Sequence, residues 1–220
     1  MENTLKINEI FFSVQGESTH AGRACAFVRL MGCPLRCQYC DTEYAFTEGK
    51  SKSFDEIFKV LESYNCQLVE VTGGEPLAQK SAIPFMKELV SRGYEVLLET
   101  SGAYPIFEVP REVAIIMDVK TPDSKENHRM FWDNMASLKS GLDEVKFVIC
   151  SKNDFDYMLG ICERFHLTER VTVLASPSHN QVKPADLAAW MLESPNSVAR
   201  LIRMQVQLHK VLWGAEVRGV

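Results

Sequence analysis

Runs rich in β-branched and aromatic residues recur at 6–12, 26–30, 68–71, 95–98, 113–117, 145–149, 171–174 and 199–204, with helical patterns between many of them. Parallel strands need long crossovers, usually helical, so this alternation is the signature of βα units in a parallel sheet. Ser53-Phe54-Asp55-Glu56 reads as a capping box opening a helix to about Tyr64, with Phe54, Ile57, Phe58 and Leu61 on its apolar face. A second helix fits 83–92, closed by Gly93, and Ser151-Lys152-Asn153-Asp154 caps a third through Arg164. Pro184 suits the first residue of a fourth, with Leu187, Trp190 and Met191 on its buried side. The length leaves room for about six such units, fewer than the eight of a closed barrel. The expected fold is therefore α/β, an incomplete parallel barrel forming one domain over 1–220, its mouth at the carboxyl ends of the strands and closed over by the N-terminal strand and the C-terminal tail.

The formal charge of −5 and the absence of a long basic run give no support for nucleic acid or anionic membrane as partner. The N-terminus, 1–6, lacks a basic region followed by an apolar stretch, and no segment is apolar for long enough to span a bilayer. A cytoplasmic enzyme acting on a small molecule is expected, its thiols kept reduced. Seven cysteines at irregular spacings argue against a disulfide framework.

Three of those cysteines, Cys33, Cys37 and Cys40, stand on one short loop, 33–40, in a C-x3-C-x2-C spacing. Three soft ligands suit a [4Fe–4S] cluster whose fourth iron stays open. The ordinary alternative is structural zinc, but no second C-x2-C exists, so a fourth ligand would have to be His20, Asp41 or a distant thiol. Cys25, Cys66, Cys150 and Cys162 lie in or beside apolar runs and read as packing residues. The spacing, with Tyr39 before the last thiol, resembles the radical S-adenosylmethionine (SAM) superfamily, in which SAM binds the open iron and yields a 5′-deoxyadenosyl radical.

Other short motifs follow the strands. Thr72-Gly73-Gly74-Glu75-Pro76 would alone be a tight turn; after a three-cysteine loop it resembles the motif that holds the SAM amino group, with Gly74 the position carried over. Glu99-Thr100-Ser101-Gly102 and Asp118-Val119-Lys120 follow the next two strands, and Ser176 with Pro177 a later one. A lone Lys or Asp at a strand end is more often a solvated rim residue. Val14-Gln15-Gly16-Glu17 ends the first strand; such a segment is commonly just a polar loop, yet Gln and Glu can match the donors and acceptors of a pterin or purine edge. Arg29 interrupts an apolar strand and needs an anion, either Glu17, another protein carboxylate, or a substrate carboxylate held bidentately. Thr42, in Cys40-Asp41-Thr42, offers a hydroxyl to a hard cation such as Mg²⁺.

Together with a tail reading Gln207-Leu208-His209-Lys210-Val211-Leu212-Trp213-Gly214 and ending Arg218-Gly219-Val220, these motifs resemble the 7-carboxy-7-deazaguanine synthase family along the whole chain. Ser18 departs from the family's usual glycine, and 121–142 matches none of its motifs. The resemblance implies 6-carboxy-5,6,7,8-tetrahydropterin as substrate, contracted to 7-carboxy-7-deazaguanine with loss of ammonia, in queuosine or other 7-deazapurine biosynthesis. It implies a cluster on Cys33, Cys37 and Cys40. For SAM it implies Tyr39, Asp41, Gly74, Glu75, Glu99, Ser101, Asp118, Lys120 and Ser176. For substrate it implies Val14, Gln15, Gly16, Glu17, Arg29, Thr72, His209 and Val220, the tail 205–220 completing the pocket, and Mg²⁺ on Thr42. A homodimer and an electron donor such as flavodoxin or ferredoxin are also implied. The competing readings are an activating enzyme for a glycyl-radical protein and a non-catalytic Fe–S or zinc module.

Overall fold

In the computed structural model, which describes residues 3–220, the chain enters through β1 (Thr4–Val14) and returns antiparallel as β2 (Ala24–Leu30). The first two residues of the 1–6 terminus lie outside the described residues. β3 (Lys50–Ser53) pairs antiparallel with the start of β1 and runs into α1 (Phe54–Ser63). From β2 onward the sheet is parallel, through β4 (Leu68–Gly73), β5 (Glu95–Thr100), β6 (Ala114–Asp118), β7 (Glu144–Ile149), β8 (Thr172–Pro177) and β9 (Arg203–Met204). The order is β3-β1-β2-β4-β5-β6-β7-β8-β9, and the sheet stays open between its edge strands. Helices α2 (Ala82–Ser91), α3 (Asn134–Ser137), α4 (Lys152–Phe165) and α5 (Pro184–Glu193) lie within the crossovers, and α6 (Leu208–Trp213) follows the last strand.

The four expected helices form where their caps place them. Ser53 Oγ accepts from the Glu56 amide while Glu56 accepts from the Ser53 amide at 2.7 Å, and Ser151 caps α4. Leu187 of α5 is buried, whereas Trp190 and Met191 are half-buried against the core. Two crossovers depart from the βα pattern: 101–113 contains no helix, and the link from β6 to β7 contains short 3-10 turns and the single turn of α3. Of the segment expected as strand at 199–204, the first half belongs to a 3-10 turn, Ser197–Leu201, because the Asn196 side chain caps the Val198 amide at 2.9 Å and starts a turn, and only Arg203–Met204 is strand. β3 has no apolar signal at all, being Lys-Ser-Lys-Ser on a sheet edge.

Alternation along the strands divides the molecule into two cores. Val28, Val71, Leu98, Met117 and Phe147 face outward and pack with the helices. Phe11, Phe27, Leu68, Leu97 and Ile116 face inward as a separate apolar layer, with the Phe11 and Phe27 rings stacked at 4.7 Å. Burying such side chains is worth ~1.5–3 kcal/mol each. One step further along the same inward rows stand Arg29, Glu70, Thr72, Glu99, Asp118 and Lys146. A parallel strand covered on both faces should be apolar throughout, so this polar tier marks a site.

Candidate active site

These inward residues face a cavity of about 660 Å³. The Gln15-Gly16-Glu17 loop enters it from an unexpected side. Because β1 is antiparallel to β2, its end lies at the amino ends of the parallel strands, opposite Ala24. The loop crosses that edge, where Thr19 meets Glu144, the first residue of β7, and Arg23 grips Glu95, the first of β5, at 2.5 Å. Gln15 and Glu17 therefore rise into the barrel from below instead of ringing the strands' carboxyl ends. Ser18 has φ +63°, a left-handed conformation that suits the glycine usual at this position; its Oγ accepts from the His20 amide at 3.1 Å.

The floor is an ion-pair network. Lys146 Nζ lies 2.6 Å from Glu17 and also contacts Glu99, whose other oxygen accepts from Thr72 Oγ1 at 3.1 Å. Burial alone would raise the Glu99 carboxyl; Lys146, the Thr72 hydroxyl and Arg29 outweigh it and hold that group down at about 2. The Gln15 amide donates to Glu70. Arg29 Nε binds Glu9 at 2.7 Å, and Tyr44 donates to the same oxygen at 3.0 Å, so the partner is a protein carboxylate other than Glu17. The rest of the Arg29 guanidinium borders the cavity.

Above the floor the three thiols of Cys33, Cys37 and Cys40 face the same cavity, and all seven cysteines are free. Cys25 and Cys162 are buried, while Cys66 and Cys150 are half-buried. The cluster loop is braced by Leu35 in the core and by the segment that no sequence motif placed: the Arg36 amide donates to Glu126 at 2.8 Å and the Gln38 amide to Ser124 O at 3.1 Å. Burial pushes the Cys37 thiol up to about 11 and raises Cys33. Among the described residues no three His, Cys, Asp or Glu side chains converge on a point as a single-ion site requires.

The walls beside the thiols suit a cluster with a polar cosubstrate. Asp118 binds Lys120 at 2.9 Å through one oxygen, but its Oδ1 and the Tyr39 hydroxyl are buried without partners. Gly74 borders the cavity and packs directly on the cluster loop: a Cβ there would sit 2.3 Å from Gly32 O and 2.7 Å from Cys33 Cβ. Only glycine lets this turn lie so close beside the thiols. Thr42 lies at the mouth, its Oγ1 3.8 Å from Cys40 Sγ.

The tail closes one side. Gln205 accepts from the Ser18 amide at 2.8 Å, Gln207 donates to Glu17 at 2.8 Å, and the Leu208 amide donates to Gly16 O at 2.9 Å. Lys210 binds Asp41 at 2.6 Å; burial works against that carboxyl's charge, but Lys210 prevails and lowers it. His209 packs on Gly16, and burial lowers its imidazole despite Glu17 and Asp41 nearby. Arg218 stacks 3.8 Å from the Tyr44 ring and reaches Glu48, bringing Val220 to the cavity.

Of the residues singled out in the sequence, all but Glu75 and Ser176 border this one cavity. Glu75 is fully buried and turned into the wall, where it accepts from the Leu77 amide, the Thr100 hydroxyl and the amide and hydroxyl of Ser101. Burial raises its carboxyl, against those hydrogen bonds. It staples β4 to β5 and has no oxygen left for SAM; Ser101 borders the cavity with its hydroxyl already engaged. Ser176 is buried within β8 because that strand runs on through Pro177, and Ser178 and Asn180 reach the cavity instead. Lys146, Glu70, Tyr44 and Lys210 were not anticipated. The first two carry the signal that exposed Arg29, a charge inside an apolar strand, at Val145-Lys146-Phe147 and Val69-Glu70-Val71.

An open parallel barrel carrying three thiols on the loop after its first parallel strand defines a radical SAM protein, and the Radical SAM superfamily model matches residues 28–168. The chain is 42% identical to a 7-carboxy-7-deazaguanine synthase from Koribacter versatilis, spanning 98% of this chain and all of the relative. It is 39% identical to one from Chlorobaculum tepidum, spanning 100% and 99%. The chain belongs to the 7-carboxy-7-deazaguanine synthase family, and it is an enzyme whose cofactors are a [4Fe–4S] cluster and SAM. The crystal structure of QueE from Escherichia coli shares the fold, with TM-score 0.77 at 19% identity, covering 94% of this chain and 95% of that one. Streptococcus suis SuiB bound to S-adenosylmethionine shares it more distantly, with TM-score 0.53 at 12% identity over 80% of this chain and 45% of its own. Among the described residues no helix is long and apolar enough to cross a membrane.

Proposed function

We propose that the cavity binds 6-carboxy-5,6,7,8-tetrahydropterin and that the enzyme contracts its pyrazine ring, giving 7-carboxy-7-deazaguanine and ammonia. The observation that carries this reading is the polar tier itself, a guanidinium, carboxyls and an amide facing one cavity beside three thiols. Cys33, Cys37 and Cys40 hold the cluster; Gly74, Asp118, Lys120 and Tyr39 receive SAM. When bound, these cofactors supply a 5′-deoxyadenosyl radical able to take a hydrogen atom from carbon.

The protein's own work is placement. Arg29 and a Mg²⁺ ion on Thr42 neutralise the substrate carboxylate; Mg²⁺ keeps several waters and relies on anionic oxygen ligands, so the substrate carboxylate itself would supply the charged ligand beside the Thr42 hydroxyl. Gln15, Glu17 and Thr72 hold the pterin, while His209 and the tail exclude water from the reacting carbon. We assign the cytoplasm as location, consistent with seven free thiols, with a flavodoxin or ferredoxin as electron donor. A homodimer is supported by the apolar Val211 and Leu212, which the tail leaves exposed. The test is anaerobic turnover of the carboxytetrahydropterin with SAM and a reductant, followed by product mass and ammonia. Product of unchanged mass would reject the substrate, and a Thr42→Ala enzyme with undiminished Mg²⁺ response would reject the metal site.

A further inference from the structure

Charge pairing in the cavity leaves one buried carboxyl over. Glu17 and Glu99 share Lys146, Asp118 has Lys120, and Asp41 has Lys210. Glu70, on the inward row of β4 and 4% exposed, makes no ion pair among the described residues. Its hydrogen-bond partner among them is the neutral Gln15 amide, on Oε2. The carboxyl borders the cavity and no described residue donates to Oε1. An oxygen that faces the cavity without a protein donor is open to a ligand's hydrogen bond. What it asks for is an N–H donor, and a second anion is excluded by the carboxylates around it.

The two ends of the proposed substrate differ in this respect. Its carboxylate suits Arg29, whereas the 2-amino-4-oxopyrimidine ring presents amino and ring N–H donors side by side. We propose that Glu70 is a specificity residue of this site, accepting a hydrogen bond from the aminopyrimidinone edge so that the pocket selects a 2-amino pterin over its 2-oxo counterpart. The inference rests on the pterin reading above and adds to it the group that recognises the amine.

The surroundings of Glu70 add a proton to the exchange. Burial, with the Glu99 and Glu17 carboxylates and against Lys146 and Arg29, holds this carboxyl well above its ordinary value; Cys25 below and Gln15 beside it are neutral. An N–H donor favours the carboxylate and so works against that rise, and affinity should increase with pH.

The experiment is equilibrium binding of 6-carboxypterin and 6-carboxylumazine to the cluster-loaded protein with SAM. The two ligands differ in the 2-amino or 2-oxo group, and both rings are already oxidised. The wild type should prefer the pterin by about tenfold or more, as expected for a charge-assisted hydrogen bond. Glu70→Gln should bring the preference to about one or invert it, because the new amide can donate to the 2-oxo group. Glu70→Asp should retain part of it. A ratio of two affinities does not depend on the folded fraction, so a destabilised variant still reports. If Glu70→Gln weakens both ligands equally and leaves the ratio intact, Glu70 only braces Gln15 and the inference falls. A wild type that binds the pterin without preference overturns the inference alone. A wild type that binds neither overturns the pterin reading with it.

Discussion

Lys146 is the side chain on which the floor of the cavity turns, because one ammonium serves both Glu17 and Glu99 and is itself buried. Replacing it with methionine leaves two carboxylates in a low-dielectric site, which should cost about 3–5 kcal/mol of stability. The pH dependence should change sign as well. In the wild type Glu99 is held below its ordinary 4.5, near 2, so between those values the unfolded chain takes the proton first and stability falls as pH falls. Without Lys146, burial and the neighbouring carboxylates raise Glu99; the native state then takes the proton first, and this contribution grows as pH falls. Urea midpoints at about pH 5 and about pH 3 measure the difference, and parallel acid limbs in the two proteins would refute it. Lys146 and Glu70 were as legible as Arg29, each a charge between apolar neighbours in a strand. Glu75 misled because a motif residue says nothing of which way its carboxylate turns. That was decided by the donors of Thr100, the last residue of the adjacent strand, and of Ser101 just after it.

At the level of elements, the alternation of strands and helices and the capping boxes were written locally, which is why α1, α2, α4 and α5 could be placed from the sequence. The direction of β1 was not, since hairpin and crossover connections look alike until partners are known, and this put the Gln15-Gly16-Glu17 loop at the wrong end of the barrel. That loop and α6 fit together through Gly16, where a Cβ would lie 2.3 Å from His209 Nδ1 and 3.0 Å from its backbone nitrogen. Gly16→Ala should therefore lift the start of α6, costing ~1–3 kcal/mol by overpacking and most of the turnover, while iron content stays at the parent level. Ser53→Ala is the control for general destabilisation. It removes the α1 capping box far from the cavity, should cost about 1 kcal/mol by urea titration, and should leave the turnover of folded enzyme unchanged. Equal turnover in Gly16→Ala and Ser53→Ala proteins would show the loop and tail to be independent.

For the molecule as a whole, the decisive fact is that the sheet does not close. Its free edges are β3 and β9, and the tail runs from β9 across the open side: Gln205 continues beside β8 through Ala175 O at 3.0 Å, Gln207 and Leu208 bind the Glu17 loop, and Arg218 ends on Tyr44 and Glu48. The contacts before Gly214 hold the floor, whereas those after it cover the mouth and bring Val220 to the cavity. The cluster loop rests on Leu35, Glu126 and Ser124, and Asp41 just after it is held by Lys210, which lies before the cut. Cutting the chain after Trp213 should thus separate two functions that the intact enzyme couples. Iron and sulfide content and reductive cleavage of SAM should persist, because the thiols and their braces remain. Ring contraction should be lost, because the radical would meet solvent and the substrate would lack part of its wall. Product mass and 5′-deoxyadenosine, measured on the same anaerobic reaction, read the two functions together. A truncated enzyme that formed 7-carboxy-7-deazaguanine at the parent rate would reduce residues 214–220 to a packing strap, and one that lost its iron would show that the strap reaches the cluster as well.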